Sequence, residues 1–561
     1  MGRLIHMGGR LILANGLFLS LNDAAPDASG PGGGTLTLPL SDFKTGHNLA
    51  RFVMQRSAGT YDDTIAGMAG TLEITVPFTY EGTPPTLVQA KVVEEGTNTV
   101  IKNWAALTGL TIDATTKSGF GKMIVQSGRY LPLEIRDGNN PAATSVGTVK
   151  WGIGARVAQW GQSNNIRLLS AGEYYDPVPG TALTEHNYIT SADSATGIYG
   201  LYGYVVPQGL GGTGSTTTRD NFNIAIGGLL KLPRVLARAL AAKHGRKIPV
   251  AIIPVAVNAT PIESFTPPGG DAVSALFSNS GSTGSTFGLM TPGCGDFEML
   301  GWYQGEANHT NSPTAYRDKA IALVNGCLDH VAQFGRTPQQ FTFLPAVLGS
   351  YSSSEVPQIE NIRGAIYKLM EYAQANQAWA RVVPFNCIDL DTSVGTDPLH
   401  IEDITGGPQF RRWALARLHQ SMLYAKGLAS FDGMGPKVTT WERSGDVVAF
   451  DVSNAQGEIG PRDPAKTVTG WYANRAATFT GTALPVTVTV SNNKVVVTFP
   501  VGTFTGGAKA YLKHGGALLG TMQSQNPNVT NPVVDSASYP TAEPQFTGLP
   551  IQYTPTAIEV A

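Results

Sequence analysis

The middle of the chain, from about residue 151 to residue 427, alternates short apolar runs with longer amphipathic segments, and this alternation most constrains the fold. The apolar runs cover residues 156–160, 249–256, 297–302, 341–347 and 382–388. Helical patterns, with apolar residues spaced by three and four, lie at 229–240, from Ser312-Pro313 onward, at 359–372 and at 410–422. Alternating strands and helices predict an α/β fold in which helices cover both faces of a parallel sheet.

The segments on either side of this region have a β pattern. Between residues 31 and 150, short alternating or β-branched runs are separated by turn residues, apart from one predicted helix near 47–56. After Gly427 such runs return, and Ser491-Asn-Asn-Lys494 is typical of a tight hairpin turn. We therefore predict four parts: an N-terminal extension (1–30), a β-rich accessory domain (31–150), an α/β domain (151–427) and a C-terminal β-sandwich-like domain (428–561).

Charge and composition exclude several functions. Lys and Arg number 39 and Asp and Glu number 41, so the net charge is −2. A chain without a basic excess lacks the electrostatic attraction that nucleic-acid binding requires. No apolar run reaches the length of about 18 residues that a transmembrane helix needs. The 3 cysteines share no C-x-x-C spacing, which disfavours a zinc or redox site and favours buried thiols.

The N-terminal extension permits two interpretations. Arg3 and Arg10 precede the apolar stretch 11–21 and a run of small residues, which is the outline of a signal peptide. Asn15 and Gly16 interrupt that stretch, however, and it reads equally well as a strand. Secretion by this segment therefore stays open.

A glycine-rich segment, Gly209-Leu-Gly-Gly-Thr-Gly214, matches the letters of a dinucleotide-binding motif but not its context. It is followed by Ser215-Thr-Thr-Thr-Arg219, whereas the motif requires glycines between a strand and the start of its helix. We interpret this segment as a loop. The chain contains neither G-x-S-x-G nor H-E-x-x-H.

Polar residues follow the first predicted strand of the α/β region, in Gly161-Gln-Ser-Asn-Asn165. In open α/β sheets, ligands bind beyond the carboxyl ends of the strands. Ser163 can present its hydroxyl to that crevice, and Gln162 and Asn164 suit a supporting role in a site rich in hydrogen bonds. A serine in such a turn can also be only a helix cap.

A nucleophilic serine needs a base, and the base needs an acid that orients it. Of the 9 histidines, only His400 has an aspartate three residues before it, in Asp397-Pro-Leu-His400. This segment follows the last predicted strand and so lies at the same sheet edge as Ser163. Gln304 follows the third predicted strand and is a candidate amide donor for an oxyanion.

Three segments together resemble the SGNH hydrolases: Gly161-Gln-Ser-Asn164, Trp302-Tyr-Gln-Gly-Glu306 and Asp397-Pro-Leu-His400. The resemblance is strongest to the sialate O-acetylesterase-like carbohydrate esterases, which include acetylxylan esterases. The segments occur in the family's order, and the resemblance covers about residues 151–425. Each segment alone has little specificity, whereas the combination is specific.

The resemblance implies a role for each residue. Ser163 would be the nucleophile, His400 the general base and then the acid, and Asp397 the group that orients His400. The backbone N–H of Ser163 and the side chain of Gln304 would stabilise the oxyanion, with Glu306 supporting the Gln304 loop. No metal and no organic cofactor is implied.

Two positions depart from the family pattern. Asn165 stands where the family usually has Met. Asn258-Ala-Thr-Pro-Ile-Glu263 stands where the family commonly reads Gly-Gly-Thr-x-Ile-Glu, so that Asn258 or Ala259 replaces a glycine whose N–H faces the oxyanion. Because Asn is the residue after Gly that best tolerates left-handed geometry, we expect the backbone at Asn258 or Ala259 to remain a donor.

The implied function is that of a carbohydrate O-acetylesterase with an acetylated glycan as substrate, located outside the cell, on a cell surface or on a virion. Two alternatives are a phage tail protein that binds or deacetylates host polysaccharide, and a degenerate glycan-binding structural protein. The intact set of Ser163, Asp397 and His400 favours an active enzyme. The identity of the glycan and the oligomeric state stay open.

Overall fold

The structure of the chain is a computed structural model. It describes residues 5–7, 10–12, 18–20, 36–37, 51–147, 150–170, 232–256, 259–267, 296–349, 358–390, 400–401, 410–515, 531–536 and 548–561.

Among the described residues, the strands that precede the central region are β1 (Ile5–Met7), β2 (Arg10–Ile12), β3 (Phe18–Ser20), β4 (Leu36–Thr37), β5 (Arg51–Gln55), β6 (Thr71–Tyr80), β7 (Val88–Val93), β8 (Val100–Ala106), β9 (Thr108–Asp113), β10 (Ser118–Gln126), β11 (Gly128–Tyr130), β12 (Glu134–Asp137) and β13 (Asn140–Val146). The central region contains β14 (Lys150–Gly161), β15 (Val250–Ala256), β16 (Met299–Tyr303), β17 (Thr342–Val347), β18 (Arg381–Val382) and β19 (Phe385–Asn386). Its described helices are α1 (Ser163–Ser170), α2 (Leu232–His244), α3 (Pro313–Ala332), α4 (Ile359–Ala375) and α5 (Phe410–Ala425).

The C-terminal strands are β20 (Lys437–Ser444), β21 (Val447–Ser453), β22 (Ile459–Pro461), β23 (Trp471–Asn474), β24 (Ala483–Leu484), β25 (Thr487–Ser491), β26 (Lys494–Thr498), β27 (Ala510–His514), β28 (Val533–Asp535) and β29 (Ile558–Val560).

The central sheet is parallel, as predicted. Its strands lie in the order β15-β14-β16-β17, followed by β18 and β19, which both pair with β17. In chain order this is 2-1-3-4-5, the doubly wound arrangement whose direction of winding reverses between its first and third strands. The predicted α/β core with β-structured parts on either side is therefore confirmed.

The helices of the central region form two groups. α3 packs against α4, whereas α1 and α2 both pack against α5. Since crossovers between parallel strands are right-handed, helices on the two sides of the winding reversal lie on opposite faces of the sheet. Ser312 caps α3 through a hydrogen bond from Ala315 N, and Pro313 occupies the first turn, as the sequence predicts.

β14 belongs to two sheets at once. Its first residues pair with β5 in parallel and with β11 in antiparallel orientation, and its last residues pair with β15 and β16. Trp151 and Ile153 accordingly join one buried apolar cluster, and Ala155 and Val157 join the next. The predicted boundary at residues 150 and 151 lies at the start of this strand, and the division into domains stays a prediction.

The helix predicted near 47–56 is wrong over residues 51–55, which form β5. Two interactions that the local sequence does not reveal favour the strand. Val53 and Met54 are buried, and the Gln55 side chain accepts a hydrogen bond from Arg156 N at 2.6 Å and donates one to Glu298 Oε2 at 3.0 Å. Long-range pairing with β14 therefore decides the conformation of this segment.

The flanking parts are built from antiparallel sheets. Before β14, two four-stranded sheets, β4-β6-β10-β9 and β13-β12-β7-β8, contribute to one apolar cluster. After residue 427, the sheets β20-β21-β26-β25 and β24-β23-β27-β29 share another cluster. Asn492 and Asn493 have φ of 50° and 59°, which is the geometry of a two-residue hairpin turn and confirms the predicted hairpin.

Cys327 and Cys387 are buried free thiols, as predicted, whereas Cys294 lies outside the described residues. Within the described ranges, no helix is long and apolar enough to cross a membrane. Among the same residues, no group of three or more His, Cys, Asp or Glu side chains is placed to hold a metal ion.

Candidate active site

Two of the predicted site residues, Ser163 and Gln304, lie at the carboxyl ends of β14 and β16, the two strands on either side of the winding reversal. Ser163 follows the end of β14 at Gly161, and Gln304 follows the end of β16 at Tyr303. Adjacent parallel strands that wind away from each other leave a crevice beyond their ends. The fold therefore brings Ser163 and Gln304 to one crevice.

Gly161 allows the two strand ends to approach each other closely. A Cβ at this position would lie 2.1 Å from the carbonyl oxygen of Tyr303. Gln162 continues the contact, since its N–H donates to Tyr303 O at 3.2 Å and its Oε1 accepts from Ala307 N at 3.1 Å. The segment before Ser163 is thus tied to the loop after β16.

Ser163 is the first residue of α1 and is half-buried. The first N–H groups of a helix have no partner within the helix, and the helix dipole favours negative charge there. The end of α1 at Ser163 is therefore suited to hold an anionic oxygen.

Asn164 joins three segments of the site. Its Oδ1 accepts a hydrogen bond from Ile401 N at 2.9 Å, and its Nδ2 donates to Glu306 Oε1 at 2.7 Å. Because His400 precedes Ile401 and Ser163 precedes Asn164, this bond places the half-buried His400 next to the start of α1. Asp397 lies outside the described residues.

Asn165 is completely buried and pairs with Gln159 of β14. Its Oδ1 accepts from Gln159 Nε2 at 2.6 Å, and its Nδ2 donates to Gln159 O at 3.3 Å. Gly301 leaves the space that this amide pair needs, since a Cβ there would lie 1.8 Å from Gln159 Oε1. The buried amide of Asn165 thus has polar partners on both its oxygen and its nitrogen.

Gln304 is buried, and its amide hydrogens are directed to protein acceptors. Its Nε2 donates to Thr260 O at 3.1 Å and to Asn308 Oδ1 at 2.7 Å. Its Oε1 accepts from the hydroxyl of Tyr316 at 2.8 Å, and burial raises the pKa of that hydroxyl, which keeps it protonated. Because a backbone carbonyl can only accept, the bond to Thr260 fixes the orientation of the amide.

Asn308 connects three segments of the site by hydrogen bonds, and the sequence did not predict a role for it. It is buried, and its Oδ1 accepts from both Gln304 Nε2 and the backbone N–H of Ile262, the latter at 2.9 Å. Its Nδ2 donates to Glu263 Oε2 at 3.1 Å. Asn308 and Gln304 thus hold the segment 259–263 against the loop after β16. The one sequence signal for Asn308 is its position two residues after the segment Trp302–Glu306.

Ala259 has φ of 52°, in the left-handed region that an L-residue other than Gly rarely adopts, and it is exposed. The sequence resemblance predicts an oxyanion donor at this position or at Asn258. Asn258 lies outside the described residues. The left-handed geometry that a glycine would favour is therefore present at Ala259.

His309 is a second half-buried histidine near the site, and no sequence pattern singled it out. It follows the short 3₁₀ turn Glu306–Asn308, and its backbone oxygen accepts from Asn361 Nδ2 at 3.3 Å. Its Nδ1 is buried without a hydrogen-bond partner, and burial lowers its pKa. A neutral imidazole beside the site makes His309 a competing candidate for the base.

Comparisons with known proteins give little further guidance. No protein-family model and no curated protein matches the chain. Among solved structures, a carbohydrate acetylesterase from Xanthomonas citri is similar at 15% identity, over 94% of this chain and 100% of the other, with a TM-score of 0.47. A β-glucuronidase from Bifidobacterium dentium is similar at 9% identity, over 70% and 57% of the two chains, with a TM-score of 0.24. TM-scores this low carry no argument about the activity of this chain.

Proposed function

We propose that the chain is a carboxylic ester hydrolase of the SGNH type that removes acetyl groups from an acetylated glycan. One observation carries the proposal: Asn164, the neighbour of Ser163, accepts a hydrogen bond at 2.9 Å from Ile401, the neighbour of His400. Ser163 and His400, which the sequence predicts to be the nucleophile and the base, are more than 200 positions apart. The residues that follow them along the chain are nevertheless joined by this hydrogen bond. The acetyl group and the glycan come from the sequence resemblance alone.

In the proposed reaction, Ser163 Oγ attacks the acetyl carbonyl while His400 accepts its proton. Asp397 orients His400 and stabilises the imidazolium. Collapse of the tetrahedral intermediate releases the sugar hydroxyl, which takes the proton from His400. Water, activated by His400 in the same way, then hydrolyses the acetyl ester on Ser163 and releases acetate.

The oxyanion of the intermediate requires preorganised donors. The N–H of Ser163, at the start of α1, is one proposed donor, and the backbone at Asn258 or Ala259 is another. Gln304 Nε2 is the third predicted donor, but it would have to release either Thr260 O or Asn308 Oδ1 to act. We therefore propose that Gln304 acts first by holding segment 259–263 in place.

Substitution of Ser163 tests the proposal. In the purified protein, Ser163→Ala should lower the rate of aryl acetate hydrolysis by about three orders of magnitude or more, because the nucleophile is lost. It should also abolish labelling by a fluorophosphonate probe, which reacts with activated serines. Ser264→Ala is the matched control, since Ser264 is half-buried in the nearby 3₁₀ turn Ile262–Phe265 and should retain both properties.

The base is tested by comparing two half-buried histidines. His400→Gln should remove hydrolysis, whereas His309→Gln should leave most of it. The reverse result would assign the base to His309, and an active Ser163→Ala variant would refute the serine mechanism. Acetate release from acetylated xylan, O-acetylated sialic acid and bacterial O-antigens would then identify the glycan.

A further inference from the structure

The two ring nitrogens of His309 lie in different surroundings. The side chain is half-buried, and its Nδ1 is enclosed without a hydrogen-bond partner. Nε2 is not enclosed in this way, and no described residue bonds to it. The accessible edge of the ring therefore ends in Nε2.

The enclosed Nδ1 decides where the ring carries its proton. A neutral imidazole has one N–H donor and one acceptor nitrogen, and burial lowers the pKa of His309, which favours the neutral form. A buried N–H group without an acceptor is rarer than a buried acceptor without a donor. The proton therefore belongs on Nε2, where water or a ligand accepts it, and the lone pair stays on Nδ1.

This tautomer makes His309 a donor and not a base. A general base needs a lone pair on the nitrogen that reaches the reacting proton. In His309 the lone pair lies on the enclosed Nδ1. The accessible Nε2–H group is instead suited to donate to an oxygen atom of a ligand, such as a hydroxyl, an ether or an ester oxygen.

His309 lies at the rim of the crevice, on the side away from Ser163. The preceding turn is bonded to the β14 side through Glu306 Oε1, which accepts from Asn164 Nδ2 at 2.7 Å. The His309 carbonyl faces the other side and accepts at 3.3 Å from Asn361 of α4, the helix that follows β17. Since β14 and β17 flank β16 and neighbouring strands lie about 4.8 Å apart, the two sides are roughly 10 Å from each other. A sugar whose acetyl group lies over Ser163 would extend across this distance toward His309.

The turn that carries His309 is packed tightly. Gly305 begins it with φ of 151°, and a Cβ there would lie 2.5 Å from Ile362 Cγ2 of α4. Asn308, the residue before His309, is buried and accepts from Gln304 Nε2 at 2.7 Å. A donor that is held in place before the ligand arrives loses little entropy on binding.

We propose that His309 Nε2–H donates a hydrogen bond to an oxygen atom of the sugar whose acetyl group lies over Ser163, and so favours saccharide esters over simple acetates. The sugar in this assignment rests on the proposed function, whereas the donor rests on the surroundings of the ring alone. A site that hydrogen-bonds a substrate discriminates against analogues that lack the bonded group. An aryl acetate has no sugar oxygen and gains nothing from this contact.

Steady-state kinetics of the full chain with a mono-O-acetylated xylotriose and with an aryl acetate test the proposal. His309→Leu should raise KM for the saccharide about fivefold and leave its kcat within about twofold, as expected for one lost neutral hydrogen bond. Hydrolysis of the aryl acetate should not change. His309→Gln should restore most of the loss, because the amide nitrogen of Gln is a donor at a similar distance from the backbone.

Asn311→Leu is the matched control. Asn311 is half-buried beside the same turn, but its amide is engaged within the protein, donating to Asn308 O at 2.9 Å and accepting from Lys319 Nζ at 3.0 Å. This variant should leave KM for both substrates unchanged.

Three outcomes would overturn the assignment: equal loss on both substrates in His309→Leu, an unchanged KM for the saccharide, or a His309→Gln variant as impaired as His309→Leu. Calorimetric titration of the Ser163→Ala variant with the same xylotriose separates this assignment from the proposed function. Adding His309→Leu should raise the Kd about fivefold, whether or not the parent hydrolyses esters, and absence of binding would refute the sugar contact. A parent that binds the saccharide but hydrolyses neither substrate would refute the proposed function alone.

Discussion

At the scale of single residues, the candidate site is built around Ser163 mainly from amide side chains. Asn164, Asn165, Gln304 and Asn308 each make two or more hydrogen bonds to buried groups. Amides carry no charge, so their orientation does not change with pH. This arrangement leaves His400 as the proposed general base of the reaction.

Part of this site could be predicted from the sequence. Ser163 and His400 follow strands of a parallel sheet, and order along the chain is enough to place them at one edge. The roles of Asn308 and Thr260 could not be predicted, because hydrogen bonds between segments some 45 positions apart leave no local pattern. The sequence predicts Gln304 as an oxyanion donor, but it does not reveal that both amide hydrogens are bonded to Thr260 O and Asn308 Oδ1.

Asn308→Leu should lower both kcat and stability. The substitution removes the acceptor of Ile262 N and of Gln304 Nε2, which would leave two buried donors unsatisfied and cost about 2–4 kcal/mol. Urea denaturation and aryl acetate kinetics measure the two effects. Asn311→Leu, a half-buried neighbour, should cost about 1 kcal/mol or less. An Asn308→Leu variant with unchanged kcat would contradict the holding role.

Ala259→Gly should stabilise the chain slightly. Relief of left-handed strain gains about 1–2 kcal/mol, and the greater freedom of Gly in the unfolded chain costs about half of that. Ala242→Gly, at an exposed position of helix α2, should instead destabilise by about 1 kcal/mol. Thermal unfolding of the pair tests this opposition in sign, and equal destabilisation of both variants would refute the strain argument.

At the scale of elements, the local sequence predicts the position of most helices and many strands, whereas the other strands depend on pairing with distant parts of the chain. α4 begins at Ile359 and β21 begins at Val447, where apolar periodicity placed them. β5 was missed because its pairing partner, β14, lies about 100 residues away. The predicted strand over 382–388 is divided into β18 and β19, which both pair with β17.

Gly161→Ala should separate the ends of β14 and β16 and impair the site. The added methyl group would lie 2.1 Å from Tyr303 O, and relief of such overpacking typically costs about 1–3 kcal/mol. Gly460→Ala is the control, because no atom lies within 4 Å of a Cβ at that position. The expected result is loss of hydrolysis and lowered thermal stability for the first variant only, and equal behaviour of the two would exclude the close approach as the cause.

At the scale of the whole molecule, buried ions connect parts of the chain that lie far apart in sequence. Lys426 pairs with Glu298 at 2.6 Å and with Asp63 at 3.3 Å, and Asp63 also pairs with Arg56 at 2.5 Å. Asp389 forms a similar link, since it pairs with Arg417 of α5 and with Arg462, which follows β22. Only 14% of the chain is charged, and no local pattern indicated that some of these charges would be buried in pairs.

Asp389→Asn should weaken the link to the C-terminal part and reduce the acid sensitivity of the fold. Burial alone would raise the pKa of Asp389, but the guanidinium groups of Arg417 and Arg462 outweigh it and lower the pKa to about 2. A carboxylate with a lowered pKa in the folded state contributes stability above its ordinary pKa near 3.8. That contribution, about 2 kcal/mol, is lost as the pH falls toward 2.

Urea denaturation between about pH 2 and pH 7 measures this effect, since the change in stability with pH reports the protons taken up on unfolding. The Asp389→Asn variant should be less stable than the parent at pH 7 and should lose less stability between about pH 4 and pH 2. Asp463→Asn changes a carboxylate with an exposed partner, Lys466, and should follow the parent at every pH. A variant profile parallel to that of the parent below pH 4 would refute the role of Asp389.

The continuity of β14 has a mechanical consequence. Five of its residues pair with β5, and the next seven pair with β15, with no linker between the two sets. A force that pulls on the β-structured part before residue 150 would therefore pass along an extended backbone to Gly161, two residues before Ser163. Many hydrogen bonds would have to shear at once before the strand yields, so the sheet edge that carries Ser163 would move as one stiff body with the part that precedes it.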